Sequence, residues 1–220
     1  MNEKLGRLIS EDSRDQAYPM QAVLEVVPPT VTYRYWWTGG AWLDQGATGT
    51  CVGHAWAHWI EDGPITHVGT IDPFDIYREA CQRDVWPEND SGDLNFGTSV
   101  RAAAKYLLEI TRITEYRWAW DFDTVAQALL NTGPVVIGSW WYESMFRPDE
   151  DAVVTIDGSR VGGHAYLLNG INTKKEVVRL KNSWGRNWGK GGHAYLSFED
   201  IERLIREQGE ACLAVEVVTS

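Results

Sequence analysis

The 220 residues include 20 basic and 31 acidic side chains, a net charge of −11 at neutral pH. With 44% hydrophobic and 23% charged residues, the composition is that of a folded domain and excludes bulk disorder. The acidic balance argues against a nucleic-acid partner, which needs a basic face, and no apolar run approaches the roughly 18 residues of a membrane-spanning helix. Residues 1–16, MNEKLGRLISEDSRDQ, are polar where a secretory signal is apolar. The expectation is therefore a cytoplasmic protein, or one carried in a virion, that avoids membranes.

In chain order, residues 1–28 read as an irregular segment, with Pro28-Pro29 extended. Val31 to Trp37 (VTYRYWW) has strand composition, and Gly39-Gly40 turns the chain. Helices are predicted at Cys51 to Asp62, capped by Thr48 or Thr50, at Phe74 to Arg83 and at Thr98 to Glu109. A polar loop, Trp86 to Gly97, separates the last two. A fourth helix, Asp121 to Asn131, stops at Gly133-Pro134. Strands follow at Pro134 to Trp141, Val153 to Ile156, His164 to Ile171, Glu176 to Leu180, His193 to Phe198 and Ala211 to Val218, with a late helix at Glu199 to Gln208. Helices gather in the first half and strands in the second, the signature of an α+β protein. The natural division is 1–28 irregular, 29–112 mainly helical and 113–220 mainly β, with a cleft between the last two as the default site.

Three cysteines (Cys51, Cys81 and Cys212) make no disulfide framework and no paired zinc motif, though one bridge is arithmetically allowed. Cys51 stands where a small-residue loop becomes a helix. A thiol there faces unpaired N–H groups and the positive end of the helix dipole, which lowers its pKa. Taken alone, it reads first as a buried structural cysteine, the commonest state of a free thiol. His164, flanked by Gly162-Gly163, and Asn182, opening Asn-Ser-Trp-Gly, have equally ordinary readings as a satisfied strand histidine and a turn asparagine. Together the three supply a nucleophile, a base and a group that orients the base. Gln45, six residues before Cys51, can complete an oxyanion hole with the Cys51 backbone N–H.

A rival metal constellation, Cys51, His54 and His58, shares one helix face but lacks the glutamate of the H-E-x-x-H pattern and a further ligand. No metal and no cofactor are expected. The hexapeptide GGHAYL occurs twice, at 162–167 and 191–196, so local sequence cannot choose between His164 and His193. Position can: a strand, a turn at Asn172-Thr173-Lys174-Lys175 and a return strand would bring His164 level with Asn182.

These residues resemble the papain family of cysteine peptidases, in its bacterial and phage branch. The likeness rests on Gln45-Gly46-Ala47-Thr48-Gly49-Thr50-Cys51, on Gly162-Gly163-His164-Ala165, and above all on Asn182-Ser183-Trp184-Gly185-Arg186-Asn187-Trp188-Gly189. The resemblance implies a two-lobe α+β fold, a helical lobe facing a β-barrel-like lobe, and hydrolysis of peptide or protein substrates through an acyl-enzyme. By motif position Cys51 is the nucleophile, His164 the base and acid, Asn182 the orienter and Gln45 the oxyanion donor. Trp184 shields the His–Asn hydrogen bond, Gly97 offers backbone to an extended substrate, and Gly163 leaves room beside the histidine.

The departures also inform. Thr48 replaces a cysteine of the C-G-[SA]-C-[WY] signature that normally forms a disulfide, which fits a reducing compartment, and Val52 replaces an aromatic residue. Only 44 residues precede Gln45, fewer than the family's usual proregion requires, so gating by a partner or by the chain's own N-terminal segment is an open expectation. Two other readings share the fold: an acyltransferase or transpeptidase that excludes water, and a non-catalytic binding module.

Overall fold

The computed structural model describes residues 4–24, 31–36, 42–63, 71–89 and 91–216. Its frame is a seven-stranded antiparallel sheet: β1 (Tyr33–Tyr35), β2 (Ile113–Ala119), β3 (Val135–Tyr142), β4 (Arg160–Asn172), β5 (Val177–Lys181), β6 (His193–Ser197) and β7 (Glu210–Glu216). The order is β2-β7-β3-β4-β5-β6, with β1 added along β4. Among the described residues five helices accompany it: α1 (Cys51–Asp62), α2 (Pro73–Cys81), α3 (Val100–Glu109), α4 (Phe122–Asn131) and α5 (Phe198–Arg206). This is the α+β class expected from the sequence.

Strand alternation sorts the core into two layers. Val135 and Ile137 of β3 and Tyr166 and Leu168 of β4 point to the side covered by α4 and α5. Val136, Ala165 and Leu167 point to the opposite side, against α1 and α3. Successive residues of a strand face opposite ways, so the central strands are apolar on both faces. α1 is buried along almost its whole length, which explains its lack of a polar face. Its tryptophans still satisfy their N–H groups: Trp56 donates to the Val100 carbonyl (3.0 Å) and Trp59 to that of Pro134 (3.2 Å).

Local chemistry explains most element boundaries. Asp72 caps α2 through the Phe74 N–H, Ser99 caps α3 through Ala102, Asp121 caps α4 through Thr124 and Ser197 caps α5 through Asp200. The predicted turn at 172–175 joins β4 to β5, with Asn172 Oδ1 accepting the N–H groups of Lys174 and Lys175.

The structure differs from expectation in two elements. Residues 153–156 form no strand: Ala152 takes a left-handed turn, and only Val153 bridges, to Tyr195. β2, which the sequence did not announce, occupies one end of the sheet, pairing with β7 and bridging to Pro19 through Trp118. Pro28-Pro29, Trp37, the Gly39-Gly40 turn and residues 217–218 lie outside the described residues. Among the described residues before β1 the helical pieces are short 3-10 turns, Ser13–Ala17 and Met20–Ala22, the latter burying Met20 completely. All three cysteines are free and buried.

Candidate active site

Cys51 opens α1. Thr50 sits at the cap position, but its hydroxyl pairs with Thr48 Oγ1 (2.7 Å) and contacts His54 Nδ1 (3.3 Å) instead of capping the helix. Neither threonine therefore provides the predicted cap. The backbone N–H of Val52 is directed at the Cys51 thiol, joined there by those of Ala165 and Gly6. Ala165 belongs to β4, so the packing of α1 on the sheet sets the cysteine beside the strand that carries His164.

The β4–β5 hairpin does what its length promised. With Leu167 opposite Lys181, the middle of β4 lies beside the end of β5, and His164 Nε2 stands 2.8 Å from Asn182 Oδ1. That oxygen also accepts the Ser183 N–H (2.8 Å), so it is an acceptor and Nε2 carries the proton. Nδ1 then presents a lone pair, and it has no hydrogen-bond partner. Trp184 covers the pair, its ring 4.8 Å from that of His164. Trp141 packs on the imidazole at 4.7 Å, and Phe146 stacks on Trp184 at 5.4 Å with the planes 4° apart. Nothing in the sequence marks Phe146 for this aromatic wall, and the Trp140-Trp141-Tyr142 run, able to line a pocket, reads first as core packing.

Gln45 is fastened to the same corner. Its backbone N–H donates to the Ser183 carbonyl (2.8 Å), and Ser183 Oγ donates to its Oε1 (2.7 Å). That leaves Nε2 pointing into the cleft, where it donates to the carbonyls of Thr48 (2.6 Å) and Lys4 (3.0 Å).

Lys4 belongs to a strap, residues 4–8, that fills the groove above Cys51. Gly6 and Arg7 both donate to the Gly163 carbonyl (3.1 and 3.0 Å). On the other rim, Thr98 N–H donates to the Gly6 carbonyl (2.9 Å) and Leu8 N–H to that of Thr98 (2.8 Å). Thr98 and Gly163 thus pair with a bound backbone, here the chain's own, whereas Gly97 only adjoins it: its N–H donates to the Tyr77 hydroxyl and its carbonyl accepts from Asn89 Nδ2. The fit is close: a Cβ on Gly163 would come within 2.1 Å of the Arg7 carbonyl oxygen, and one on Gly6 within 1.8 Å of that of Gly49.

The strap changes the electrostatics expected at the helix start. Cys51 and His164 are completely buried. Burial pushes the thiol up to about 11 against its hydrogen bonds, where the helix position alone predicted a lowered value. Burial likewise pulls His164 down to about 4 despite the Asn182 bond. In the covered site both groups are neutral.

The rival residues are engaged elsewhere. His54 Nδ1 lies 3.0 Å from the Thr50 carbonyl, and His58 Nε2 accepts the Leu43 N–H (3.3 Å). Among the described residues no three His, Cys, Asp or Glu side chains converge as metal ligands. His193 lies on β6 opposite Lys181, its ring edge-on to Trp42 at 4.4 Å.

The sequence profile of the papain family cysteine proteases matches residues 40–212. A peptidase C1-like protein of Acanthamoeba polyphaga mimivirus is 31% identical over 204 residues, covering 72% of this chain; the chain spans 65% of that relative's length. Among solved structures, xylellain, a cysteine protease from Xylella fastidiosa, superposes with a TM-score of 0.73 at 19% identity, covering 97% of this chain and 96% of its own. A Carica candamarcensis cysteine protease gives 0.62 at 15% identity, covering 86% and 99%. No helix among the described residues is long and apolar enough to cross a membrane.

Proposed function

Because this chain belongs to the papain family of cysteine proteases, we propose that it is an endopeptidase with Cys51 as nucleophile, His164 as base and acid, Asn182 as orienter and Gln45 as oxyanion donor. The observation that carries this reading is the buried His164–Asn182 hydrogen bond of 2.8 Å, which fixes one tautomer and leaves Nδ1 unpaired on the strand that also contacts the thiol.

The covered site is the resting state. With Lys4 to Leu8 in the groove, thiol and imidazole are neutral and Gln45 Nε2 is held by the carbonyls of Lys4 and Thr48. When the strap lifts, water and substrate relieve the desolvation, the imidazole takes the thiol proton, and the helix start favours the thiolate. Sγ then attacks the substrate carbonyl carbon, with the developing oxyanion held by Gln45 Nε2 and the Cys51 N–H. His164 returns the proton to the departing amine, leaving a thioester, and then activates the water that cleaves it. Asn182 holds the ring plane through both transfers. Trp184 and Trp141 keep water from the His–Asn bond.

Mass spectrometry after rapid mixing with a peptide ester tests the reading. The acyl group should be found on Cys51, and Cys51→Ala should neither acylate nor hydrolyse. Hydrolysis that survives Cys51→Ala overturns the assignment. Adding a primary amine separates hydrolysis from acyl transfer by the products formed.

A further inference from the structure

The strap also occupies a side-chain recess. Arg7 crosses Gly138 of β3, where a Cβ would come within 2.8 Å of both Arg7 Nε and Glu210 Oε1. Glu210 opens β7 in register with Gly138. Arg7 Nε donates to Glu210 Oε1 at 3.0 Å, and Nη2 donates to the Gln208 carbonyl at 2.9 Å. The Arg7 side chain is 1% exposed and that of Glu210 13%. The surrounding cavity, about 560 Å³, is also lined by Asp15, Arg101 and Trp118. Gly138 supplies the passage and Val100 one wall.

We infer that Glu210 determines specificity, and that the recess takes an arginine side chain of the substrate in the place Arg7 now fills. This rests on the peptidase reading of the cleft. A carboxylate and a carbonyl set to receive two N–H groups of one side chain suit a planar guanidinium better than the point charge of lysine. When the strap leaves, Glu210 loses its partner while still enclosed, and burial already holds its carboxyl above the usual range. An apolar substrate side chain would leave that carboxylate unpaired, whereas an arginine restores the pair.

The other charges facing the recess are consistent with this. Asp12 and Asp15 lie beyond the strap and hold the outer nitrogens of Arg101, whose guanidinium lies over the Trp118 ring at 5.4 Å.

The experiment walks one arginine through an otherwise constant quenched peptide, each member paired with its citrulline isostere. The proteins are the full chain, Arg7→Ala, which empties the recess without altering its walls, and Glu210→Gln in each background. At one peptide position, arginine should exceed citrulline in kcat/KM by about 10–100-fold, the worth of a hydrogen bond to a charged group. Glu210→Gln should bring that ratio to within about threefold. Strap occupancy scales both peptides equally and cancels from the ratio.

Binding of the same peptides to the Cys51→Ala chain gives a readout free of chemistry. Turnover without an arginine preference, or with one that survives Glu210→Gln, overturns the recess and leaves the peptidase reading standing. Glu210-dependent arginine binding without any turnover does the reverse. Absence of both overturns both.

Discussion

The two copies of GGHAYL place identical residues in one sheet and give them different work. In the first, 162–167, the carbonyl of Gly163 faces the groove and receives the N–H groups of Gly6 and Arg7, while His164 meets Asn182 and an aromatic wall. In the second, 191–196, the carbonyl of Gly192 receives the backbone N–H of Asn182 itself (3.1 Å), and His193 faces Trp42 in the positive field of Lys181 and Arg179. One copy carries the imidazole that bonds to Asn182, and the other holds the backbone of Asn182 itself. The difference comes from strand neighbours: β4 is central in the sheet, whereas β6 ends it. Local sequence sets a strand and its side-chain alternation, and only topology decides what each side chain meets.

The most severe way to test this contrast is to remove each histidine. His164→Ala should lower kcat by roughly 10²–10⁴-fold, the usual contribution of a general acid–base group. His193→Ala should keep kcat within about threefold. A dead His193→Ala beside an active His164→Ala would invert the assignment. Next in size is Gln45→Ala, which should cost about 10²–10³-fold in kcat by removing one oxyanion donor; it is read at saturating substrate so that its contact with Lys4 does not confuse the result.

Smaller and opposite in sign is Gly6→Ala. The added methyl meets the Gly49 carbonyl, so the strap should lift and iodoacetamide should label Cys51 faster than in the parent chain, on the order of tenfold if the clash costs about 1.4 kcal/mol. Peptide mapping reads it, and unchanged labelling would mean the strap does not limit access.

The subtlest expectation concerns acid. An unfolded imidazole protonates near pH 6.5, but burial holds His164 to about 4, and burial with the neighbouring Arg179 and Lys181 holds His193 to about 3. Between those values and 6.5 the unfolded chain binds more protons, so these groups' contribution to stability is complete above pH 6.5 and is lost as pH falls. His193→Gln should therefore lose fewer degrees of Tm between pH 6.5 and 4 than the parent chain. An equal loss would assign the acid sensitivity elsewhere.

The class of fold and the meeting of His164 with Asn182 were both legible in the sequence, because a hairpin of defined length carries its own register. Helices α1 to α5 could all be placed within a few residues for a similar reason: cap residues and apolar spacing are local signals. β2 was not legible, since a strand at the end of the sheet is not apolar on both faces. Residues 153–156 were misread because four apolar and β-branched residues satisfy strand composition while the turn at Ala152 allows only a bridge. The neutral state of Cys51 was hidden for a different reason. Helix position argued for a low pKa, but the burial that reverses it comes from residues more than forty positions earlier. Glu210 escaped notice because nothing near it in sequence marks it as facing a cleft.

The strap is joined to the body it covers, and that covalent link sets a concentration. A tethered ligand acts at an effective concentration that reaches the millimolar range for short flexible linkers and does not change when the protein is diluted. Here the connecting chain is itself held down, by the buried Met20 and by the Arg101 pairs with Asp12 and Asp15, so the strap samples less volume than a loose tether would. Diluting the protein should then leave the fraction of open sites unchanged. A free peptide of the same sequence would have to match that internal concentration to compete, and a substrate gains entry by outbinding a resident that is always nearby.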